Sequence, residues 1–553
     1  MAIHDAAPVL AGLLTWRFLN RHTVRGDYFL LYSAFLLASL SAYNYWLADP
    51  RASFMPPSLS SSTSPHSQRA HTLFLATLSW TGHRHLELER LHERYGKFVR
   101  IGPNILSTND SSELITIYGA KTHLDKPDSY NLPGSTGEVA LFFKQSRDDH
   151  AARKHIWAQA FTMNSISNFF TPLHRNTWYL MKCIADRTRP DGSVNLYECL
   201  CHWAYDIMGD ATFGGTNGLR LMKDGDPKNI VEGGKIATVV LDSFGLCPWL
   251  IDILWWLPGL ATMDSMKELK ALAASMIQTR VRNSDNVKIR DLMSYLLEGD
   301  ARTGRKIDMA DLQVDAITTA SPGSDNTSTT LIVAVYFMLC RPSLWTDLRV
   351  KLEEVIEDPT ADLDKTTLAS IPLLDAILKE ALRFASPYYV PREVPPGGVT
   401  VAGRYFPPSV ILASANHAVH MSEENFSPEP RTFLPERWLP GGLGPNTVTN
   451  QSALSSFTFG PHHCLGKNFA MHEMRMCLAR MVLMYDFELT GGHDRGEFYR
   501  GLRNARTTLF DKPLVVNAKL RRASSSPLTF RVPPLPFICR IFAIFIAPGY
   551  CIP

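Results

Sequence analysis

Cys464 has the most chemistry-bearing surroundings in the chain. It stands in the segment 457–470, FTFGPHHCLGKNFA, after a loop rich in Phe and Gly and before an amphipathic helical pattern that begins near Gly466. A thiolate at a helix N-terminus is stabilised by the macrodipole and by free backbone N–H groups. Gly460 and Gly466 let the backbone approach a flat ligand closely. Such a loop suits a cysteine that donates electron density to a metal while amides hydrogen-bond its sulfur. Taken alone, the residue also fits a buried structural cysteine, the commonest fate of its type. A second constellation is Glu380 and Arg383, spaced i, i+3 so that they share a helix face and can pair. An isolated pair of that kind is more often a solvated surface pair. A third is TTASPGSDNTSTT, residues 318–330, inside a long helical pattern. Pro322 removes one amide there and frees the carbonyl of Thr318. Asn326 can donate and accept hydrogen bonds, but an amide cannot relay a proton as a hydroxyl does.

The Cys464 segment resembles the haem-binding loop of the cytochrome P-450 family, F-x-x-G-x-R-x-C-x-G. Phe457, Gly460, Cys464 and Gly466 fall on the pattern, and His462 stands where most members have Arg. Three further motifs follow the family in order and spacing. Glu380-Ala-Leu-Arg383 is similar to its E-x-x-R helix, and FLPERW, 433–438, to its meander. The resemblance implies that Arg437 joins Glu380 and Arg383 in a buried charge triad with a structural role. The 318–330 stretch is similar to A/G-G-x-D/E-T-T/S, the helix over the oxygen face of the haem. Gly323, Asp325 and Thr327 match, Pro322 replaces a small residue, and Asn326 takes the place of the usual catalytic Thr. Asp325, Asn326 and Thr327 are therefore the implied catalytic group. The family bends its helix here, and Pro322 is expected to strengthen that bend.

The same resemblance makes Cys464 the implied iron ligand of a haem b, with Phe457, Gly460 and His462 as contacts. His150 and Lys154, in HAARK, and Arg392, in VPREV, join His462 as a basic set for two propionates. YGKFVRIGPN looks like fungal microsomal members, and the likeness runs from about 86 to 520. What it implies is a mainly α protein with small β-sheets, the cytochrome P-450 fold, preceded by an N-terminal transmembrane helix. The implied function is a haem-thiolate monooxygenase acting on an apolar terpenoid, polyketide or alkaloid in secondary metabolism. No nicotinamide or flavin motif is fused to the chain. Electrons are therefore expected from a separate NADPH-cytochrome P-450 reductase, with cytochrome b5 as a helper. Asn326 keeps a rival open, a haem-thiolate isomerase or lyase that needs neither oxygen nor reductase. A non-catalytic haem- or lipid-binding membrane protein is the rival from another class, and intact Cys464, Glu380, Arg383 and Arg437 speak against it.

The elements that must position these residues are mostly helical. Helical spacing is expected over 150–187, 196–212, 262–283, 308–340, 343–357, 366–384 and 466–485. FVRIGPNILSTND reads as a strand and turn, and SSELITIYG as a helix capped by Ser111 or Ser112. Short strands are expected at 399–406, 409–413 and 514–519. The substrate pocket is expected between the 128–147 loop, the aromatic 244–257 stretch, the 316–327 helix and Pro387 to Val390.

The chain has 553 residues, 45% hydrophobic and 20% charged, an ordinary globular balance. Lys plus Arg is 56 against 53 for Asp plus Glu, so the net charge of +3 argues against a nucleic-acid binder. The nine cysteines are odd in number and include no CxxC pair, which points to a reducing compartment rather than a disulfide framework. Tyr28 to Leu47 is a 20-residue stretch without a charged side chain. At helical rise that spans about 30 Å, the thickness of a bilayer core. The expected organisation is an anchor region over 1–50, a membrane-proximal linker over 51–85, a haem-binding catalytic domain over 86–520 and a tail over 521–553. The expected location is the endoplasmic reticulum membrane, single-pass, with the haem domain cytosolic.

Overall fold

The computed structural model describes residues 72–521, except 103, 123, 131–138, 216–218, 247–260, 288, 386–388, 491–496 and 505. The span expected at 28–47 and the tail beyond Arg521 lie outside the described residues. Among those described, no single helix is long and apolar enough to cross a membrane.

Six helices carry the site. They are α1 (Arg147–Ala160), α2 (Leu196–Phe213), α3 (Ile230–Phe244), α4 (Met309–Cys340), α5 (Pro372–Phe384) and α6 (Lys467–Met484). α4 is the longest, at 32 residues, and its assignment runs unbroken through Pro322. Its last turns, from Leu331 to Cys340, are apolar all round, and Leu331 to Val335 are fully buried against α2, α5 and α6. The turns before them carry the polar run 318–330 that the sequence singled out. α4 ends at Arg341 because Pro342 disfavours the helical conformation in the residue before it.

Small sheets flank this helical body. The largest pairs Ile105–Thr108 antiparallel with Phe98–Arg100 and parallel with Ile411–Ser414, which pairs antiparallel with Arg392–Glu393. A second sheet joins Ser193–Asn195, Val515–Leu520 and Tyr485–Leu489. The hairpin Leu502–Asn504 with Thr508–Phe510 packs its second strand against α4. The expected strands at 409–413 and 514–519 are present within a residue or two, whereas 399–406 is a hairpin of two strands, Val399–Val401 and Arg404–Phe406, turning at Ala402 and Gly403.

Several expectations need correction. The 150–187 pattern is three helices, α1, Met163–Ser167 and Phe170–Arg187. Thr162 makes the first break, because its side chain accepts from Ser165 N and starts a new helix. The 366–384 pattern splits at Ile371, whose extended backbone is what Pro372 demands. The cap before 111–118 is Asp110, not a serine, since its carboxylate accepts from Ser112 N. Thr72–Thr81, inside the stretch expected to be linker, is a helix that packs against α3 and buries Leu75. α3 itself was not foreseen.

Candidate active site

The loop before α6 is shaped by its own backbone. Cys464 N donates to Phe457 O at 2.9 Å, His463 N to Gly460 O at 3.1 Å, and Thr458 Oγ1 to His462 O at 2.9 Å. Gly460 has φ +61°, and a Cβ there would stand 2.4 Å from Tyr118 O, so the position tolerates only glycine. Gly466 caps α6 in an ordinary conformation, and a Cβ there would meet only Phe161 at 3.7 Å and Cys464 Sγ at 3.9 Å. The close approach expected of both glycines is thus made to the protein at Gly460 and left open toward the cavity at Gly466. Cys464 is exposed, and what it opens onto is a cavity of about 400 Å3. Protein atoms crowd the sulfur on its other sides and push the thiol up, against the pull of the Gly466 and Lys467 amides and the Lys154 charge.

The loop is tied to the charge triad. Arg383 holds Glu380 through two bonds, Nη2 to Oε1 at 2.7 Å and Nε to Oε2 at 3.0 Å. Arg437 Nε donates to the same Oε1 at 3.2 Å, and Trp438 Nε1 donates to Oε2 at 2.8 Å. All three charged groups are buried, which is tolerable because every carboxylate oxygen is shared by several donors. Ser456 Oγ donates to Leu382 O at 3.0 Å, joining α5 to the cysteine loop.

The basic set expected around two carboxylates lies on the same cavity wall. His462 Nδ1 and His150 Nε2 are 3.2 Å apart, and burial drives the pKa of both rings down, to about 3 for His150. Lys154 bridges to the loop instead, donating to Pro461 O at 2.5 Å and meeting His463 Nδ1 at 3.1 Å. Arg392 Nη1 donates to Tyr130 OH at 3.1 Å, while its buried Nε has no hydrogen-bond partner among the described residues. Arg153, next to Lys154, pairs with Asp311 and Asp315 at 2.5 Å each and fastens α1 to α4.

Across the cavity, Asp325, Asn326 and Thr327 all contribute to the lining, but they turn different ways. Asp325 Oδ2 accepts from Ser321 Oγ at 3.2 Å, and Ser321 Oγ in turn accepts from Tyr205 OH at 3.3 Å. Burial lifts Asp325 to about 6, opposed by the charge of Lys235 on α3. α3 comes this close because of Gly234, where a Cβ would lie 2.7 Å from both Tyr205 OH and Ser321 Oγ. Asn326 Nδ2 donates to Pro322 O at 2.9 Å, and its Oδ1 accepts from Thr507 at 3.4 Å. Thr327 Oγ1 donates to Gly323 O at 3.0 Å and stands 3.4 Å from Glu473 Oε2. Burial pushes Glu473 up to about 8, so at neutral pH it is largely protonated and can donate to Thr327.

The sequence reading missed Glu473, Lys126 and Arg506, which also line the cavity. Glu473 could have been noticed as a lone acid inside the buried run of α6. Lys126 Nζ donates to Phe142 O at 2.7 Å, and burial followed by the charge of Arg392 holds its pKa well down. Of the walls expected, Tyr130, Leu141 to Phe143, Val390 and all of Thr318 to Thr327 except Ala320 and Ser324 are present. Of the aromatic 244–257 stretch, the described residues Phe244 to Leu246 are not among them. Phe244 packs on Trp80 with ring centroids 5.7 Å apart, the residues from 247 on lie outside the described ones, and Gly234, Ala237, Thr238 and Leu241 of α3 form that wall.

One thiol on a cavity wall, with cations clustered beside it and an orphaned guanidinium nitrogen among them, fits an iron macrocycle that carries two carboxylates. Comparison with known proteins agrees. Residues 65–507 match the family model of cytochrome P450. The chain belongs to the cytochrome P450 family. It is 29% identical over 451 residues to cytochrome P450 67 of Uromyces fabae, covering 79% of this chain and 82% of that one. It is 28% identical to a benzoate 4-monooxygenase of Aspergillus niger, over 80% and 88% of the two chains. A tryprostatin B 6-hydroxylase of Neosartorya fischeri is 26% identical, over 74% and 72%. This P450 is thus an oxygen-incorporating oxidoreductase with haem b and a thiolate axial ligand, served by a redox partner and acting on a small molecule.

Proposed function

We propose that this P450 inserts one oxygen atom from O2 into an apolar small molecule, a terpenoid, polyketide or alkaloid, in fungal secondary metabolism. Electrons come from NADPH through a separate cytochrome P-450 reductase, with cytochrome b5 as a helper. The 28–47 segment anchors the protein in the endoplasmic reticulum, and the catalytic domain over 86–520 faces the cytosol. The observation that carries the reading is that the Cys464 thiol and the Pro322–Thr327 stretch of α4 line one largely apolar cavity.

Bound haem b supplies the oxidising chemistry. Cys464 holds the iron through its sulfur. Arg392, His150 and His462 take the propionates, and Lys154 steadies the loop from behind while adding its charge. Phe457 would contact the ring, and Gly460, pressed against Tyr118 O, would fix the loop behind it. On the far wall Asn326, oriented by Pro322 O and Thr507, holds a water through which protons enter. Asp325 feeds that water from the Tyr205–Ser321 side. Thr327, backed by Glu473, is the competing donor. The test is a substrate screen with reductase and NADPH, read by mass spectrometry for the gain of one oxygen. Product formed without oxygen or reductase would instead establish the isomerase or lyase that the replacement of Thr by Asn326 leaves open.

A further inference from the structure

Arg506 is the cavity cation with the least assigned to it. It stands on the turn between Leu502–Asn504 and Thr508–Phe510, and its side chain is only 10% exposed. Nη2 donates to Ser129 O at 2.7 Å. Nε lies 3.6 Å from Asp242 Oδ1, but that carboxylate already serves Arg84 at 2.8 Å and Ser79 Oγ at 3.0 Å. One acid therefore faces two guanidinium groups. Nη1 is buried and has no hydrogen-bond partner among the described residues. Three rings collar the group, Tyr130 at 5.0 Å, Phe143 at 5.7 Å and Phe142 at 6.0 Å. Ring faces offset part of the desolvation of a cation, but they do not accept its in-plane N–H bonds as an oxygen does.

The neighbourhood adds positive charge rather than removing it. Lys126 lies 5.5 Å from the Tyr130 ring, and Arg392 bonds the Tyr130 hydroxyl. The acids that line the cavity are engaged elsewhere. Asp315 is paired with Arg153, and Asp325 and Glu473 are buried on the α4 and α6 side. Arg506 meets the Tyr130 ring whose hydroxyl Arg392 engages, so it borders the propionate set from the α4 side. Its neighbour Thr507 bonds Asn326, which places the turn beside the Pro322–Thr327 stretch and not beside the cysteine loop.

We infer that Arg506 is the substrate-recognition cation of this P450, and that the substrate carries a carboxylate on an otherwise apolar body. Nη1 takes the carboxylate, and the Tyr130, Phe142 and Phe143 rings pack on an adjoining aromatic or alicyclic ring. Ala237 and Leu241 then line the path of the apolar body toward Asn326. This rests on the reading of the cavity as a combined haem and substrate chamber.

A shape-matched pair, 2-naphthoate and 2-naphthamide, tests the inference on the haem-loaded full-length protein. Binding is read by equilibrium dialysis and by the haem spin-state shift. The acid is expected to bind at least about tenfold more tightly than the amide, as for a charge-assisted hydrogen bond in a dry site. Arg506→Gln should weaken the acid by about that factor and leave the amide within about twofold, and Arg506→Lys should restore part of the preference. Wild-type protein that binds the two alike, or binds neither, overturns the inference without any variant. So does an Arg506→Gln protein that weakens both equally or that loses haem instead, which would make Arg506 a propionate contact. A wild-type protein lacking the thiolate-type ferrous carbonyl spectrum would be a failure of the proposed function, and dialysis still reads acid against amide in that case.

Discussion

Glu473 shows how strongly one side chain here is governed by burial. Its neutral form is the one the folded state favours, with a pKa near 8 against an ordinary 4.5. The folded chain therefore binds more protons than the unfolded chain between those values. The stabilising contribution is complete below about pH 4.5 and is lost as pH rises toward 8. Glu473→Gln, which mimics the protonated acid, should remove that loss. Comparing urea unfolding of the two proteins at pH 5.5 and 8 should show the variant gaining up to about 3 kcal/mol relative to wild type at the higher pH. Equal slopes for both would show that Glu473 is ionised in the fold. The neighbouring pair makes a separate prediction. Asn326→Ala should raise NADPH consumption per product formed, and Asn326→Thr should retain coupling. A fully coupled Asn326→Ala beside an uncoupled Thr327→Ala would transfer the proton role to Thr327 and Glu473. For Cys464→Ala the expected outcome is loss of the thiolate-type Soret band in the ferrous carbonyl form, and an unchanged band would refute the iron assignment.

At the scale of elements, the cysteine loop is held by backbone geometry and the triad by charge. Gly460→Ala forces a side chain into a left-handed conformation and against the Tyr118 carbonyl. The strain alone costs about 1–3 kcal/mol, and the variant should unfold at lower temperature and retain less haem. Arg437→Ala leaves Glu380 with one cation fewer in a fully buried place, a loss of about 3–5 kcal/mol by the same unfolding measurement. Both elements could be read in the sequence because their partners are local or carry a known spacing. α3 could not. Its Gly233 and Gly234 lower helix propensity, and the reason for Gly234 is tertiary, since only contact with Tyr205 and Ser321 explains it. The breaks at Thr162 and Pro372 were legible as a cap and a proline, but apolar periodicity continues across both and masked them.

At the scale of the whole molecule, the family and the mainly helical architecture followed from motifs spread between residues 318 and 466. The full cavity wall did not, because Lys126 and Arg506 meet around Tyr130 only after the chain has folded. No spacing rule joins positions so far apart, and each cation alone looks like a surface residue. The anchor remains a reading of composition at 28–47. Removing residues 1–50 should move the protein from the membrane to the soluble fraction, and unchanged fractionation would place membrane attachment elsewhere in the chain.

The parallel pairing of Ile105–Thr108 with Ile411–Ser414 sets a clock on biosynthesis. The second strand leaves the ribosome about 300 residues after the first, a delay of roughly 15–60 s at about 5–20 residues per second. During that interval one edge of the early hairpin lacks its native neighbour and is open to other strands. The Cys464 loop and the Thr507 turn emerge later still, so the chamber closes only after both have been made. Cofactor capture therefore waits for the Thr507 turn. The nascent chain has to be kept from aggregating until then, and a shortage of haem during expression should be felt as a lower yield of folded protein rather than as a slower start to folding.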